Sequence, residues 1–286
     1  MTIEERVSKH YEGDALLEAI RAGVAALKKD TTTVTVDDLS PVDEFHIGGR
    51  PATTELCDRL GIDDSSLVLD VGCGIGGSSR FVASTYGCRT VGIDLTPSYI
   101  EVARTLSEWT GLGERCSFDV GSALNLPYDD DTFDRAIQLH VGMNIEDKTT
   151  LLAEIYRVIK PGGRVAIYDV MRKTDDTHEF PVPWASDPST SFVAAPSAYR
   201  MAMEAAGFSV TGERDRSQFA TEFFAALQAR SAAAEGPPPL GLHVIMGPDA
   251  PVKIGHMVAA VKAGTLAPCE VIGEKPARGA PDKNST

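Results

Sequence analysis

The chain has 286 residues, of which 43% are apolar and 24% charged, and its 26 Gly and 17 Pro are spread along it. This length suits one large α/β domain or two small ones, and the composition excludes disordered, collagen-like and disulfide-framework proteins. With 41 Asp and Glu against 27 Lys and Arg the formal net charge is −14. A surface this acidic repels phosphate backbones and anionic lipid, so neither nucleic acid nor membrane is expected as a partner. No stretch approaches the ~18 consecutive apolar residues of a membrane span. The opening MTIEERVSKHYEGD is charged from its fourth residue and lacks the apolar core of a secretory signal. Cys57, Cys73, Cys88, Cys116 and Cys269 are odd in number and include no CxxC pair. They read as free thiols in a reducing compartment, with a cytoplasmic location.

Residues 1–62 read as a helical cap: DALLEAIRAGVAALKK carries apolar positions at helical spacing, and the segment precedes the first strand. Beyond it, short apolar runs alternate with amphipathic ones. Strands are expected at 66–72, 88–94, 116–121, 134–140, 163–170, 208–214 and 269–275, and helices at 77–86, 97–111, 147–159 and 197–206. Near-continuous Val/Ile/Leu strands alternating with helices specify an α/β, Rossmann-like fold with a mostly parallel seven-stranded sheet and helices on both faces. Lys160-Pro161-Gly162-Gly163 is expected to end a helix and turn the chain into the next strand. Two stretches break the alternation: the proline-punctuated 178–192, and 216–265, where EGPPPLG separates an alanine-rich helix from another amphipathic one. Both are expected as inserts forming a substrate lid on a domain spanning 63–275, followed by a polar, disordered tail at 276–286.

The densest chemistry is Asp70-Val71-Gly72-Cys73-Gly74-Ile75-Gly76-Gly77, which follows a strand and opens a helix. Glycines there let the backbone turn tightly and approach a ligand, with the free N–H groups of the helix start close by. An acid at the end of the strand before this loop would repel a pyrophosphate. It suits a ligand with a cationic amino group and no phosphate, which describes S-adenosylmethionine. Asp94 ends the second strand, where a carboxylate accepts the ribose hydroxyls of a nucleotide.

Four segments, LDVGCGIGG, GIDLTPSYIEVAR, GSALNLPYDDDTFD and IYRVIKPGGRVAIYDV, follow one another across residues 66–170. On them the chain resembles the class I S-adenosylmethionine-dependent methyltransferases. VDEFHIGGRPATTEL (42–56) and MGPDAPVKIGHMVAAVKAG are similar to the sarcosine/dimethylglycine, sterol and ubiquinone small-molecule methyltransferases. The resemblance implies a cofactor site with Asp70, Gly72, Cys73, Gly74 and Gly76 at the glycine loop and Asp94 and Leu95 at the ribose. Ser122, Ala123 and Leu124 would border the adenine, and Gln138 and Leu139 the amino-acid portion. Relatives commonly carry an acid within GDA where this chain has Gly121-Ser122-Ala123, so Ser122 would make a neutral adenine contact.

In an open α/β sheet the ligand lies outside the carboxyl ends of the strands. His140 and Met143 after the fourth strand, and Trp184 and His243 in the inserts, are therefore candidate acceptor contacts; His46, in the FHIGGR segment before the sheet, joins them on the resemblance. His140 and His46 are the candidate general bases, because imidazole titrates near neutrality. His178 is expected at the surface, and Arg50, Arg172 and Arg200 are the arginines available to a carboxylate. Methyl transfer needs mainly a collinear nucleophile and methyl, and a hydroxyl or carbon acceptor needs a base as well. The expected activity is methyl transfer from S-adenosylmethionine to a small-molecule acceptor, with an amine or amino-acid nitrogen favoured, and S-adenosylhomocysteine as product. The alternatives are O- or C-methylation of a natural product or quinone-like molecule, and a structural protein that binds the cofactor without turnover. No metal is expected, since no Cys/His/Asp cluster has ligand spacing. Association as a homodimer is compatible with the sequence.

Overall fold

The Val/Ile/Leu-rich runs enter one seven-stranded sheet: β1 (Leu67–Val71), β2 (Arg89–Asp94), β3 (Cys116–Val120), β4 (Phe133–Leu139), β5 (Ile159–Arg172), β6 (Ser209–Asp215) and β7 (Leu266–Glu274). The computed structural model describes residues 1–11, 15–233 and 236–279. The strand order is β3-β2-β1-β4-β5-β7-β6, parallel from β3 to β5, with β7 running antiparallel to both neighbours. β1, β4 and β7 are buried along nearly their whole length, as strands covered on both faces must be.

The helices follow the expected alternation: α1 (Ile3–Tyr11), α2 (Leu16–Ala26), α3 (Val36–Asp43) and α4 (Gly49–Asp58) precede the sheet. Next come α5 (Gly77–Tyr86), α6 (Pro97–Trp109), α7 (Lys148–Val158) and α8 (Pro196–Ala206). α9 (Ser217–Ala233), α10 (His243–Met246) and α11 (Ala250–Lys262) lie between β6 and β7. None of the described helices is long and apolar enough to cross a membrane. α3 starts at a reciprocal cap, Thr35 accepting from Asp38 N while Asp38 accepts from Thr35 N. Pro97 occupies the first turn of α6, where its missing N–H costs nothing.

One boundary differs from expectation. Lys160-Pro161-Gly162-Gly163 does not form a helix-ending turn outside the sheet; it already belongs to β5. Gly162, at φ 81°, donates its N–H to Lys275 O at 2.7 Å, and Lys275 N reaches Gly163 O at 2.9 Å. The end of the chain's last strand satisfies this backbone, a partner too distant in sequence for local reading. Of the expected tail, Arg278 reaches Asp131 at 2.5 Å, and residues 280–286 lie outside the described residues.

Parallel strands bring their carboxyl ends, and the loops after β1, β2, β3 and β4, to one edge of the sheet. The cap is fastened to that edge by a fully buried ion pair. Arg80 of α5 donates to Asp43 of α3 at 2.6 Å and to the Ile75 carbonyl of the glycine loop at 2.8 Å. Burial outweighs the guanidinium and pushes the Asp43 carboxyl up to about 6.

Candidate active site

Gly72, Gly74 and Gly76 all adopt left-handed φ (74°, 55° and 79°), which any side chain would strain. Their surroundings differ. A Cβ on Gly76 would stand 2.7 Å from the Phe118 ring, so that glycine serves close packing of loop on sheet. A Cβ on Gly74 would meet nothing nearer than the Tyr99 ring at 4.0 Å, so its face is open to a ligand. Asp94 ties the two loops together, accepting from Gly74 N and Thr96 N at 2.9 Å each, and burial pushes its carboxyl up. Asp70 lies deeper. Burial raises it to about 7, against the pull of the Ser79 hydroxyl that donates to it at 2.7 Å.

Above these loops opens a cavity of about 1200 Å³. Asp70, Gly72, Cys73, Gly74, Asp94, Leu95, Ala123, Leu124 and Leu139 line it, as do His46, His140, Met143, Trp184 and His243. Gly76, Ser122 and Gln138 stand behind the wall. Gln138 is fully buried, with its amide N 3.4 Å from Asp169, whose carboxylate also accepts from the Tyr199 hydroxyl at 2.8 Å. Burial drives Asp169 up to about 7, against Tyr199 and Lys148. This buried group supports the loop after β4: a Cβ on Gly142 would collide with Asp169 and Tyr199.

His46 and His140 come from segments 94 residues apart and meet with ring centroids 5.9 Å apart. Tyr168 of β5 completes the cluster, 5.1 Å from His140, and donates its hydroxyl to Ile47 O. His140 sits at φ 55° and its buried Nε2 has no partner among the described residues. Burial, then His46, holds its pKa well below the ordinary value. His46 Nε2 faces three oxygens: Gly49 O at 3.2 Å, Thr53 Oγ1 at 3.0 Å and Glu44 Oε2 at 3.4 Å. The Thr53 hydroxyl proton is committed to Glu44 at 2.7 Å. Nε2 must therefore carry the hydrogen, which leaves Nδ1 with the lone pair. Burial lowers the His46 pKa and Glu44 partly offsets it. Glu44 and Thr53 escaped the sequence reading, although both lie within one and two helical turns of His46.

The roof is apolar. Phe223, Phe224 and Leu227 of α9, Leu240, and Ile254 and Met257 of α11 face the cavity together with Trp184. Trp184 is held by its indole N–H donating to Ser191 at 2.9 Å and by its carbonyl accepting from Asn144 at 2.8 Å. His178 is not at the surface as expected; it is half buried, 4.8 Å from the Phe180 ring, because the 178–192 segment folds inward on Trp184. His243 sits exposed at the rim. Of the three candidate arginines only Arg50 lines the cavity, where it pairs with Glu44; Arg172, beside Asp175, and Arg200, beside Glu213, are not among its lining residues. α1 also reaches the site, a contribution the sequence reading missed: Tyr11 donates to Asn144 at 3.0 Å, and Glu4 and Val7 line the cavity.

Comparison with known proteins agrees with this architecture. Residues 69–167 match the methyltransferase domain family. Methyltransferase GfsG of Streptomyces halstedii is 37% identical over 134 residues, 47% of this chain and 48% of that protein. The chain thus spans less than half the length of the curated relatives it matches, among which are N-, O- and C-methyltransferases. Two solved structures align along nearly the whole chain. Geranyl diphosphate C-methyltransferase of Streptomyces coelicolor A3(2) has a TM-score of 0.69 at 16% identity, covering 96% of this chain and 98% of that one. The [4+2]-cyclase SpnF has a TM-score of 0.68 at 21% identity, covering 96% and 97%. Their likeness concerns the fold. The family match runs from within β1 to within β5 and takes in the glycine loop and Asp94, so the part of the chain that builds the site is similar in sequence to methyltransferase domains.

Proposed function

We propose that the protein transfers the methyl group of S-adenosylmethionine to a hydroxyl of a largely apolar small molecule, with His46 as general base. The observation that carries this reading is the Glu44–Thr53–His46 arrangement beside the glycine loop. It commits Nε2–H to protein oxygens and leaves the Nδ1 lone pair for a proton. The donor set fits the cofactor. Gly74 offers an open backbone face, Asp94 a half-buried carboxylate on the cavity wall for a ribose diol, and Arg80, beside the loop, is consumed by Asp43. Such a loop has no cation for a pyrophosphate and suits a phosphate-free nucleoside.

When bound, S-adenosylmethionine supplies a methyl group on a sulfonium. The chain's own part is to hold and to deprotonate. The glycine loop and Asp94 bind, the apolar roof excludes water, and Trp184 and Met143 wall the acceptor. His46 Nδ1 takes the hydroxyl proton as the acceptor oxygen takes the methyl, and Glu44, 3.4 Å behind, stabilises the imidazolium. Fixing the acceptor in line with the methyl supplies the remainder of the rate.

An amine nitrogen is the second reading, supported by the carboxylates Glu146 and Asp147 on the cavity wall, which attract a cation. The test incubates the protein and Asp94→Ala with methyl-labelled S-adenosylmethionine and pooled phenols, alcohols, quinols and amines, reading products by mass spectrometry. Label on oxygen, lost with Asp94→Ala, is expected. Label on nitrogen selects the second reading. Binding of S-adenosylhomocysteine without any labelled product leaves a cofactor-binding protein without turnover.

A further inference from the structure

Ser122, expected to make a neutral adenine contact after β3, does not line the cavity, whereas Glu4 of α1 does. The Ser122 hydroxyl donates to the Glu4 carboxylate, while its own oxygen accepts from Leu124 N at 3.0 Å. Ser122 is thereby fully engaged as a support. Glu4, Val7, Ser8 and Tyr11 share one face of α1, at the i, i+3, i+4 and i+7 positions of a helix. Along that face Ser8 reaches Leu95 O, next to Asp94, at 3.5 Å, and Tyr11 reaches Asn144 after β4. α1 therefore crosses the sheet edge from the end of β3 to the loop after β4. The Ser122 hydroxyl engages one of the two Glu4 carboxylate oxygens, Oε1.

β3 lies outside β2 in the sheet, on the side away from β1 and the glycine loop. A nucleoside whose ribose sits on Asp94 and whose amino-acid end lies at the glycine loop must therefore project its base over the end of β3. Resting on the function proposed above, we infer that Glu4 is the purine-reading residue: its carboxylate accepts the exocyclic amine of adenine, and Ser122 positions it. The acid that the strand-end loop lacks is supplied by the N-terminal helix. A carboxylate only accepts, so it favours an amine donor and repels a carbonyl at the same purine position.

The test titrates the full chain by calorimetry with S-adenosylhomocysteine and with S-inosylhomocysteine, in which that amine is a carbonyl. The wild type should prefer the adenosyl ligand by about 10- to 100-fold, as for one charge-assisted hydrogen bond. Glu4→Ala should lose most of that preference. Glu4→Gln, whose amide serves either purine, should keep affinity for S-adenosylhomocysteine within a few-fold while its preference also collapses. A merely structural Glu4 would weaken both ligands equally, so a wild-type preference retained in either variant overturns the assignment. Asp94→Ala separates the two levels of the argument. If it binds S-adenosylhomocysteine as tightly as wild type, the cofactor site itself is misread and Glu4 falls with it. If Asp94→Ala loses binding while the Glu4 variants keep the preference, Glu4 alone is rejected.

Discussion

His46 has an environment that His140 lacks, although both histidines face the same cavity. Among the described residues His140 has a buried, unpartnered Nε2 and no carboxylate paired with it, so charging it is costly; His46 has Glu44 to stabilise the charge. His46→Gln is expected to lower kcat by roughly 10²–10⁴-fold with S-adenosylhomocysteine affinity unchanged, measured by steady-state kinetics and calorimetry. Burial holds His46 below its ordinary 6.5, so the base stays neutral, and kcat/KM level, as pH falls through 6.5. The decline should come only below that; a midpoint above 6.5 would assign the titration to another group. His140 was legible as a candidate from its place at the end of the fourth strand, and His46 from the resemblance carried by the segment before the sheet. Glu44 and Thr53 were not, because which nitrogen a ring presents depends on oxygens that the folding of α4 brings up.

At the level of elements, the cap depends on a pair that sequence spacing does not reveal. Arg80 and Asp43 are 37 residues apart, and both are completely buried. Removing one partner of such a pair leaves a charge in a place without water, which typically costs about 3–5 kcal/mol. Arg80→Met is expected to destabilise by about that amount at pH 8 in urea unfolding. The loss should shrink at pH 5, because Asp43, already raised to about 6, then takes a proton and its uncompensated charge disappears. An equal loss at both pH values would show that Arg80 acts through packing alone. The helices themselves were legible from periodicity and caps. The extended start of β5 was not, since its backbone partners sit more than 110 residues later at Lys275.

For the molecule as a whole, two opposing sets of buried groups shape the response to pH. Asp70 and Asp169 are both pushed from the ordinary 3.8 to about 7. Between about pH 4 and 7 the folded chain keeps protons that the unfolded chain has released, so their contribution to stability falls as pH rises. The buried neutral histidines act the other way, losing stability as pH falls below 6.5. Asp169→Asn keeps an acceptor for Tyr199 and removes one of the two acids. Its stability relative to wild type should therefore rise steadily between pH 4 and 7 in urea unfolding, and a constant difference would reject the assignment.

The sequence by itself determined the sheet, its helices and the chemistry of the glycine loop. Those features rest on local physics: apolar periodicity, left-handed glycines and an acid at a strand end act within a few residues of one another. Only the tertiary structure decided that Ser122 supports Glu4, that Gln138 lies behind the cavity wall, that His178 turns inward and that Arg50 alone of the three arginines reaches the cavity, already paired with Glu44. Each of these is a competition among side chains distant in sequence for one buried place or one partner. Chain order carries no record of which of them wins.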